Sequence, residues 1–133
     1  MKVTSRTETV KASDHIIFAM VSNCNNFGKF LPDQVKDWES TEDFCKFAIP
    51  GVAVLTLTIS EKIACSKVVY HASNDKNLPL TICIQLDGNG EECKVEVEIE
   101  VEVPIFLNPM VKKPLQNLVE IIVDKIKLEA EKC

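Results

Sequence analysis

Residues with reactive side chains are few in this chain, and they are widely spaced. There are two histidines, His15 and His71, and six cysteines at positions 24, 45, 65, 83, 93 and 133. None of them has the C-x-x-C or H-x-x-x-H spacing that is typical of zinc sites. The sequence therefore predicts no metal site and no cofactor. A Cys–His or His–Asp pair stays open as an alternative, because such groups meet in space and not in sequence.

Other catalytic patterns are also missing from the sequence. It contains no Gly-rich phosphate loop, and no pair of carboxylates interrupts an apolar strand face. The positions expected to face inward are nearly all apolar, which leaves few groups for acid–base chemistry. The sequence assigns no catalytic residue and favours a protein that is not an enzyme.

Composition and charge narrow the functional class. The chain has 133 residues, a net charge of −5 and 46% hydrophobic residues, which is typical of one globular domain spanning 1–133. The acidic balance argues against binding to nucleic acid or to an anionic membrane. Residues 1–14 lack the apolar core of a signal peptide, and no apolar run is long enough to span a bilayer. We therefore expect a cytoplasmic protein, with no membrane insertion, whose cysteines are reduced thiols.

The clearest structural signal is the stretch KVEVEIEVEV at 94–103, in which charged and apolar residues alternate. Successive side chains of a strand point to opposite faces, so this pattern predicts a strand with one dry face and one wet face. Such strands are typical of an antiparallel sheet that is covered on one side only. The dry face comprises Val95, Val97, Ile99, Val101 and Val103.

The rest of the chain predicts strands on either side of short helices and one long terminal helix. Ser13 is a good N-cap for a first helix at 13–22, and a short second helix holds Phe27 and Phe30. Pro114 predicts a single turn at 108–112, a kink, and a main amphipathic helix from 114 to about 131. The other predicted strands lie at 2–10, 35–40, 66–73 and 78–86, with a hairpin at 43–61 around Pro50-Gly51.

This order of elements resembles the helix-grip fold of the START-like, or birch-pollen-allergen-like, superfamily. Its bacterial members are often grouped as SRPBCC proteins, the polyketide cyclase/dehydrase and lipid-transport group. The resemblance depends on EECKVEVEIEVEVPIFLNPMVKKPLQNLVEIIVDKI and on DHIIFAMVSNCNNFGKFLP. It implies an α+β domain in which a curved antiparallel sheet of six to seven strands wraps around the C-terminal helix, with two short helices between strands 1 and 2. It also makes the first and last strands neighbours, so that Lys2 and Arg6 would face the glutamate row at 96–102.

The resemblance further implies a cavity between the sheet and the C-terminal helix. Relatives commonly bind lipids, sterols or other apolar molecules there, so we expect non-catalytic binding of a small hydrophobic or lipid-like ligand. The alternative is that the same side chains simply fill the core. The expected lining residues are Phe27, Phe30, Trp38, Tyr70, Ile84, Val97, Leu115, Leu118, Val119 and Ile122.

Two further hypotheses follow from the sequence. The hairpin at 44–59 has apolar residues on both faces, which a sheet covered on one side should not need. A homodimer or another protein partner could cover the second face, strong bending could bring both faces into contact with protein, or a bulge near Pro50-Gly51 could switch the phase of the strands. The remaining hypothesis, which the resemblance implies, is a cavity enzyme of the cyclase or hydrolase type.

Overall fold

The computed structural model describes residues 1–33, 35–50, 53–74, 79–103 and 108–132. Two short strands come first, followed by a helix and a 3-10 helix, then six further strands and a long C-terminal helix. These elements are β1 (Lys2–Thr4), β2 (Glu8–Val10), α1 (Asp14–Val21), the 3-10 helix (Cys24–Phe30), β3 (Lys36–Ser40), β4 (Phe44–Ile49), β5 (Ala53–Ile63), β6 (Lys67–Asn74), β7 (Leu80–Gly88), β8 (Cys93–Val101) and α2 (Asn108–Glu131).

The strands form one antiparallel sheet in the order β1-β8-β7-β6-β5-β4-β3, and β2 also pairs with β8. This arrangement confirms the predicted α+β helix-grip architecture. The first and last strands are neighbours, with Val3 opposite Ile99. The dry face of β8 is also confirmed, since Val95, Val97 and Ile99 are fully buried.

The first predicted strand, 2–10, is interrupted in the structure. The N–H of Ser5 donates to the Val97 carbonyl, and the Val97 N–H donates to the Ser5 hydroxyl oxygen at 2.9 Å. The Ser5 side chain therefore replaces a backbone acceptor. One extra residue separates β1 from β2, since Thr4 lies opposite Glu98 and Glu8 lies opposite Val95.

Of the two ion pairs predicted between the first strand and the glutamate row, the structure contains one. Lys2 pairs with Glu98 of β8 at 3.6 Å, as expected. Arg6, however, is directed to Glu8 and to two acidic residues of α2, Glu120 and Asp124, and not to the glutamate row. Arg6 thus joins the start of the sheet to the C-terminal helix.

The helix α2 runs through Pro114 without the predicted interruption. Proline at this position removes one hydrogen bond, the one to the carbonyl of Met110. Met110 is 71% exposed, so water can satisfy that carbonyl. The buried stripe of α2 comprises Leu115, Val119, Ile122, Val123, Ile126 and Ala130.

The stripe of α2 packs against β8, β1 and β2, and the helix also contacts the 3-10 helix and α1. Hydrogen bonds from side chains of α2 also attach the helix to the rest of the domain. Gln116 donates to the Thr4 carbonyl at 3.0 Å, and the ammonium of Lys125 donates to the Leu31 carbonyl at 2.7 Å. Among the described residues, no helix combines the length and the apolarity needed to cross a membrane.

Candidate functional site

The 3-10 helix places two aromatic rings in the core, on the concave side of the sheet. Asn23 caps it, accepting a hydrogen bond from the Asn25 N–H at 3.0 Å. Phe27 and Phe30 are buried, with ring centroids 5.9 Å apart in an edge-to-face arrangement. Phe27 also meets Tyr70 of β6 edge-to-face at 5.0 Å. These predicted lining residues therefore contact one another in the core.

Tyr70 joins the sheet to α1. Its hydroxyl donates to the carbonyl of Val21 at the end of that helix. Burial raises the pKa of Tyr70 well above its ordinary value, so its hydroxyl stays protonated and remains a donor. Its observed partner is protein, and its polar group is therefore already satisfied.

Trp38 belongs to β3, the edge strand, and its ring lies against Gly28 of the 3-10 helix. Its ring stacks on Phe47 with centroids 5.7 Å apart. Its indole N–H donates to the Ser40 hydroxyl, which in turn donates to the Asn25 side chain at 2.7 Å. Asp37, with φ 58°, lies in the register shift between Lys36 and Glu39 that precedes this contact.

The centre of the interior is closely packed. Six of the predicted lining residues have no surface that a water molecule could touch, whether from outside or from an enclosed void. They are Phe30, Tyr70, Ile84, Val97, Val119 and Ile122. A ligand that reaches these residues would have to displace them.

One end of the sheet is less completely covered. Because neighbouring strands are antiparallel, the end of β4, the start of β5, the start of β7 and the end of β8 lie together. Inward side chains there keep 3–9% exposure, as does the facing residue of α2. Leu118, another predicted lining residue, is half-buried on α2. We call this set the open end: Ile49, Leu55, Leu80, Val101 and Leu115.

The interior offers little polar chemistry. Ser5 is the only polar residue among the described part of the chain that is buried, and it is bonded to Val97. Cys24 and Cys45 lie side by side, and the hydrogen bond from Cys45 lowers the pKa of Cys24. The same bond and burial raise the pKa of Cys45 far above its ordinary value. The phenol of Tyr70 is neutral, as suits an apolar environment. Neither it nor the thiols of Cys24 and Cys45 are the carboxylate or imidazole groups that usually transfer protons in catalysis.

The two histidines are both exposed. His71 lies on the outer face of β6. His15 lies in the first turn of α1, and its Nδ1 is 3.2 Å from the Sγ of Cys65, which is 50 residues away in sequence. The sequence left a Cys–His pair open, but no spacing signal could identify these two residues.

A separate surface cleft of about 270 Å³ lies on the outer face of the sheet, away from the predicted cavity. Its lining is largely polar and includes none of the predicted lining residues: it comprises Thr7, Ser66, Lys67, Gln85, Leu86, Asp87, Lys94 and Glu96.

The two faces of the hairpin at 44–59 differ in burial. Cys45, Phe47 and Leu57 face the core, whereas Phe44 and Ala48 are half-buried and Val54 is 38% exposed. The pairing of β4 with β5 is regular from Phe44 to Ile49. The register shift instead lies between Ile59 and Glu61, where β5 pairs with β6. The alternative of a bulge near Pro50-Gly51 concerns Gly51, which lies outside the described residues, so it stays a prediction.

Comparisons by sequence and by structure give different results. No family model matches the sequence, and no curated protein is significantly similar to it. Solved structures, in contrast, match nearly the whole chain.

Three structures represent these matches. A START superfamily protein from Mycobacterium smegmatis has a TM-score of 0.76 at 16% identity, covering 98% of this chain and 97% of that chain. A conserved protein from Geobacillus kaustophilus has a TM-score of 0.75 at 14% identity, covering 99% and 96%. A truncated norcoclaurine synthase from Thalictrum flavum has a TM-score of 0.75 at 14% identity, covering 96% and 91%. At these identities the likeness concerns the fold, and the fold of this chain is the START-like helix-grip fold.

Proposed function

We propose that the protein binds a small apolar or lipid-like molecule between the concave face of the sheet and α2, without catalysing a reaction on it. The observation that supports this most is the open end, where inward apolar side chains from four strands and from α2 keep 3–9% exposure, whereas the central ones keep none. A ligand bound there would bury this remaining apolar surface.

The shape of the interior limits the ligand. The central residues are inaccessible to water, so the ligand would lie at the open end and extend inward only as the core rearranges. Leu118 lies one helical turn from Leu115 on the same side of α2, and it would form the wall above the ligand. The chemistry of the surroundings favours an apolar body with few polar groups.

Catalysis is the less favoured function. One structural neighbour is by its name a synthase, so the fold also accommodates enzymes. In this chain, however, the described residues that face the interior include no histidine or carboxylate, and the Tyr70 hydroxyl is already bonded to Val21. We therefore assign no catalytic residue.

Native mass spectrometry of gently purified protein, followed by solvent extraction, is the first test. We expect a defined apolar adduct. The matched variants are Leu118→Phe, which adds a larger side chain one turn from Leu115 of the open end, and Met110→Phe, which adds the same ring at an exposed position of the same helix. Trp38 is the only tryptophan, so its fluorescence reports binding of the extracted molecule, or of an unsaturated fatty acid if none is recovered.

We expect Leu118→Phe to weaken binding at least about tenfold, which corresponds to about 1.4 kcal/mol, and Met110→Phe to leave it unchanged. Equal affinity of both variants, or no adduct together with no response of Trp38, would contradict a ligand site at the open end.

A homodimer through the hairpin at 44–59 is the second candidate. The observation in its favour is the outer face of that hairpin, where Phe44 and Ala48 are half-buried and Val54 is 38% exposed, beside Lys46, Thr56 and Thr58. The same native mass spectrum reports the oligomeric state. A dimer that becomes monomeric in Val54→Lys would favour this candidate, and a monomer would exclude it.

A further inference from the structure

Three side chains with metal-binding atoms meet where α1 begins. The ligand atoms of Asp14, His15 and Cys65 all lie within 4.8 Å of one another. Two of them are already in contact, with Cys65 Sγ and His15 Nδ1 3.2 Å apart. The three residues come from two separate elements, α1 and the turn between β5 and β6, so the cluster is a product of the fold.

The start of α1 fixes two of these side chains. Ser13 is the N-cap, and its hydroxyl oxygen accepts a hydrogen bond from the Ile16 N–H at 3.2 Å. Asp14 and His15 therefore lie in the first helical turn, next to each other. The half-buried carboxylate of Asp14 and the exposed imidazole of His15 both remain accessible from the solvent.

The turn at 64–66 positions the third side chain, that of Cys65. The Ser66 N–H donates to the Ile63 carbonyl, and the Ser66 carbonyl accepts from the Leu86 N–H of β7 at 2.7 Å. Cys65 has φ 58°, in the left-handed region that side chains other than glycine seldom adopt. This backbone conformation, anchored on both sides, holds the half-buried thiol beside His15.

The spacing of the three groups is close to that of a zinc site. With Zn–S bonds of about 2.3 Å and Zn–N bonds of about 2.0 Å, tetrahedral geometry separates the ligand atoms by about 3.5 Å. The observed Cys65–His15 separation is 3.2 Å, so these two groups need to move only slightly to share an ion. The Asp14 carboxylate lies within 4.8 Å of both atoms, so it has to come closer to complete the set of three ligands.

The donor set distinguishes the metal. A thiolate, an imidazole and a carboxylate suit Zn²⁺, whereas Mg²⁺ and Ca²⁺ prefer oxygen ligands alone. Three protein ligands leave the fourth tetrahedral position for water or a further ligand.

Cys93 is a second cysteine to test beside Cys65. It is buried in β8, and burial raises the pKa of its thiol, which disfavours the thiolate that binds a metal. Cys93 therefore serves as a control thiol.

We propose that Asp14, His15 and Cys65 form a Zn²⁺ site that ties the start of α1 to the turn between β5 and β6. The site is independent of the apolar interior and of any ligand bound there. Its open fourth position would accept water or one donor from a partner molecule.

Titration of the reduced protein with Co²⁺, a spectroscopic substitute for Zn²⁺, tests the proposal. We expect one equivalent to produce a thiolate-to-cobalt charge-transfer band with the visible bands of tetrahedral Co²⁺, and Zn²⁺ to displace it. Cys65→Ser should abolish the charge-transfer band, and His15→Ala should weaken metal binding at least tenfold. Both residues are partly or fully exposed, so both variants should retain the native circular dichroism spectrum.

Two control variants make the assignment specific. Cys83→Ser removes a half-buried thiol on the outer face of the sheet and should leave the cobalt spectrum unchanged. Cys93→Ser should also leave the charge-transfer band in place, because Cys65 provides the thiolate. The absence of a charge-transfer band in the native protein, or a band that survives in Cys65→Ser, would overturn the proposal.

Discussion

Single side chains join elements that lie far apart in this sequence. Tyr70 connects β6 to the end of α1, Ser5 replaces a backbone acceptor for Val97, and Arg6 connects the sheet to α2. The sequence could indicate that Tyr70 shares the inward face of a strand with Val68, since side chains two residues apart point to the same side. It could not indicate the partners of Tyr70 or Arg6, because these contacts depend on where helices end in space.

Replacing Tyr70 with phenylalanine tests the value of its hydrogen bond. Tyr70→Phe keeps the ring but leaves the Val21 carbonyl buried without this donor, which should lower the free energy of unfolding by about 1–3 kcal/mol. Urea denaturation measures the change. His71→Ala alters the neighbouring exposed residue on the same strand and should cost less than about 0.5 kcal/mol. An equal effect of both variants would contradict the role given to this bond.

At the scale of elements, the alternation in β8 and the apolar period of the C-terminal helix are enough to identify both elements from the sequence. Their mutual burial follows, because each dry surface needs a partner. The main difference concerns Pro114, which predicts a divided helix where the structure has a continuous one. The rule for proline describes a local cost, but it does not include the packing of Leu115, Val119 and Ile122 that holds the helix together against that cost.

Replacing Pro114 should remove the destabilisation that proline causes inside α2. Pro114→Ala restores the hydrogen bond to Met110 and removes the steric conflict with the preceding turn, so it should raise the free energy of unfolding by about 1–2 kcal/mol. Thermal and urea denaturation measure this gain. Lys112→Ala, at an exposed position in the same part of the helix, should change stability by less than about 0.5 kcal/mol. A loss of stability in Pro114→Ala would mean that proline is needed for the local backbone geometry.

At the scale of the whole molecule, the order of elements predicts the architecture, and the solved structures with the same fold agree with it. The candidate site is less predictable. The expected lining residues are nearly all buried, but sequence periodicity does not distinguish a filled core from a cavity, since both need apolar inward faces. The cluster of Asp14, His15 and Cys65 has no sequence signature, because the fold brings together residues 50 positions apart.

The ion pairs between the sheet and α2 make whole-molecule stability depend on pH. The hydrogen bond from Arg6 holds the pKa of Glu8 below its ordinary value of 4.5, and Lys127 adds to the effect. A carboxylate whose pKa is lower in the folded state stabilises that state above pH 4.5, and this contribution disappears as the pH falls through the folded-state pKa. Acid should therefore weaken the attachment of α2 to β2.

Urea midpoints at neutral pH and below pH 4.5 test this linkage. The difference between the two midpoints should be smaller in Glu8→Gln than in the native protein. Glu91→Gln, which removes an exposed carboxylate from the loop between β7 and β8, should retain the native difference. A native-like pH dependence in Glu8→Gln would refute the assignment.

The edge strands of the sheet bear on whether two molecules can join by pairing their strands. One lateral boundary of the sheet comprises β1 and β2, with three residues each and an interruption at Ser5, and the other is β3, with five residues and an irregular register at Asp37. Short or distorted outer strands offer few consecutive free amide and carbonyl groups to a second molecule. Charged side chains at Lys36, Asp37 and Glu39 add repulsion and hydration along the β3 boundary. Growth of the sheet from molecule to molecule is thus disfavoured at both boundaries, which favours self-association through faces over strand addition.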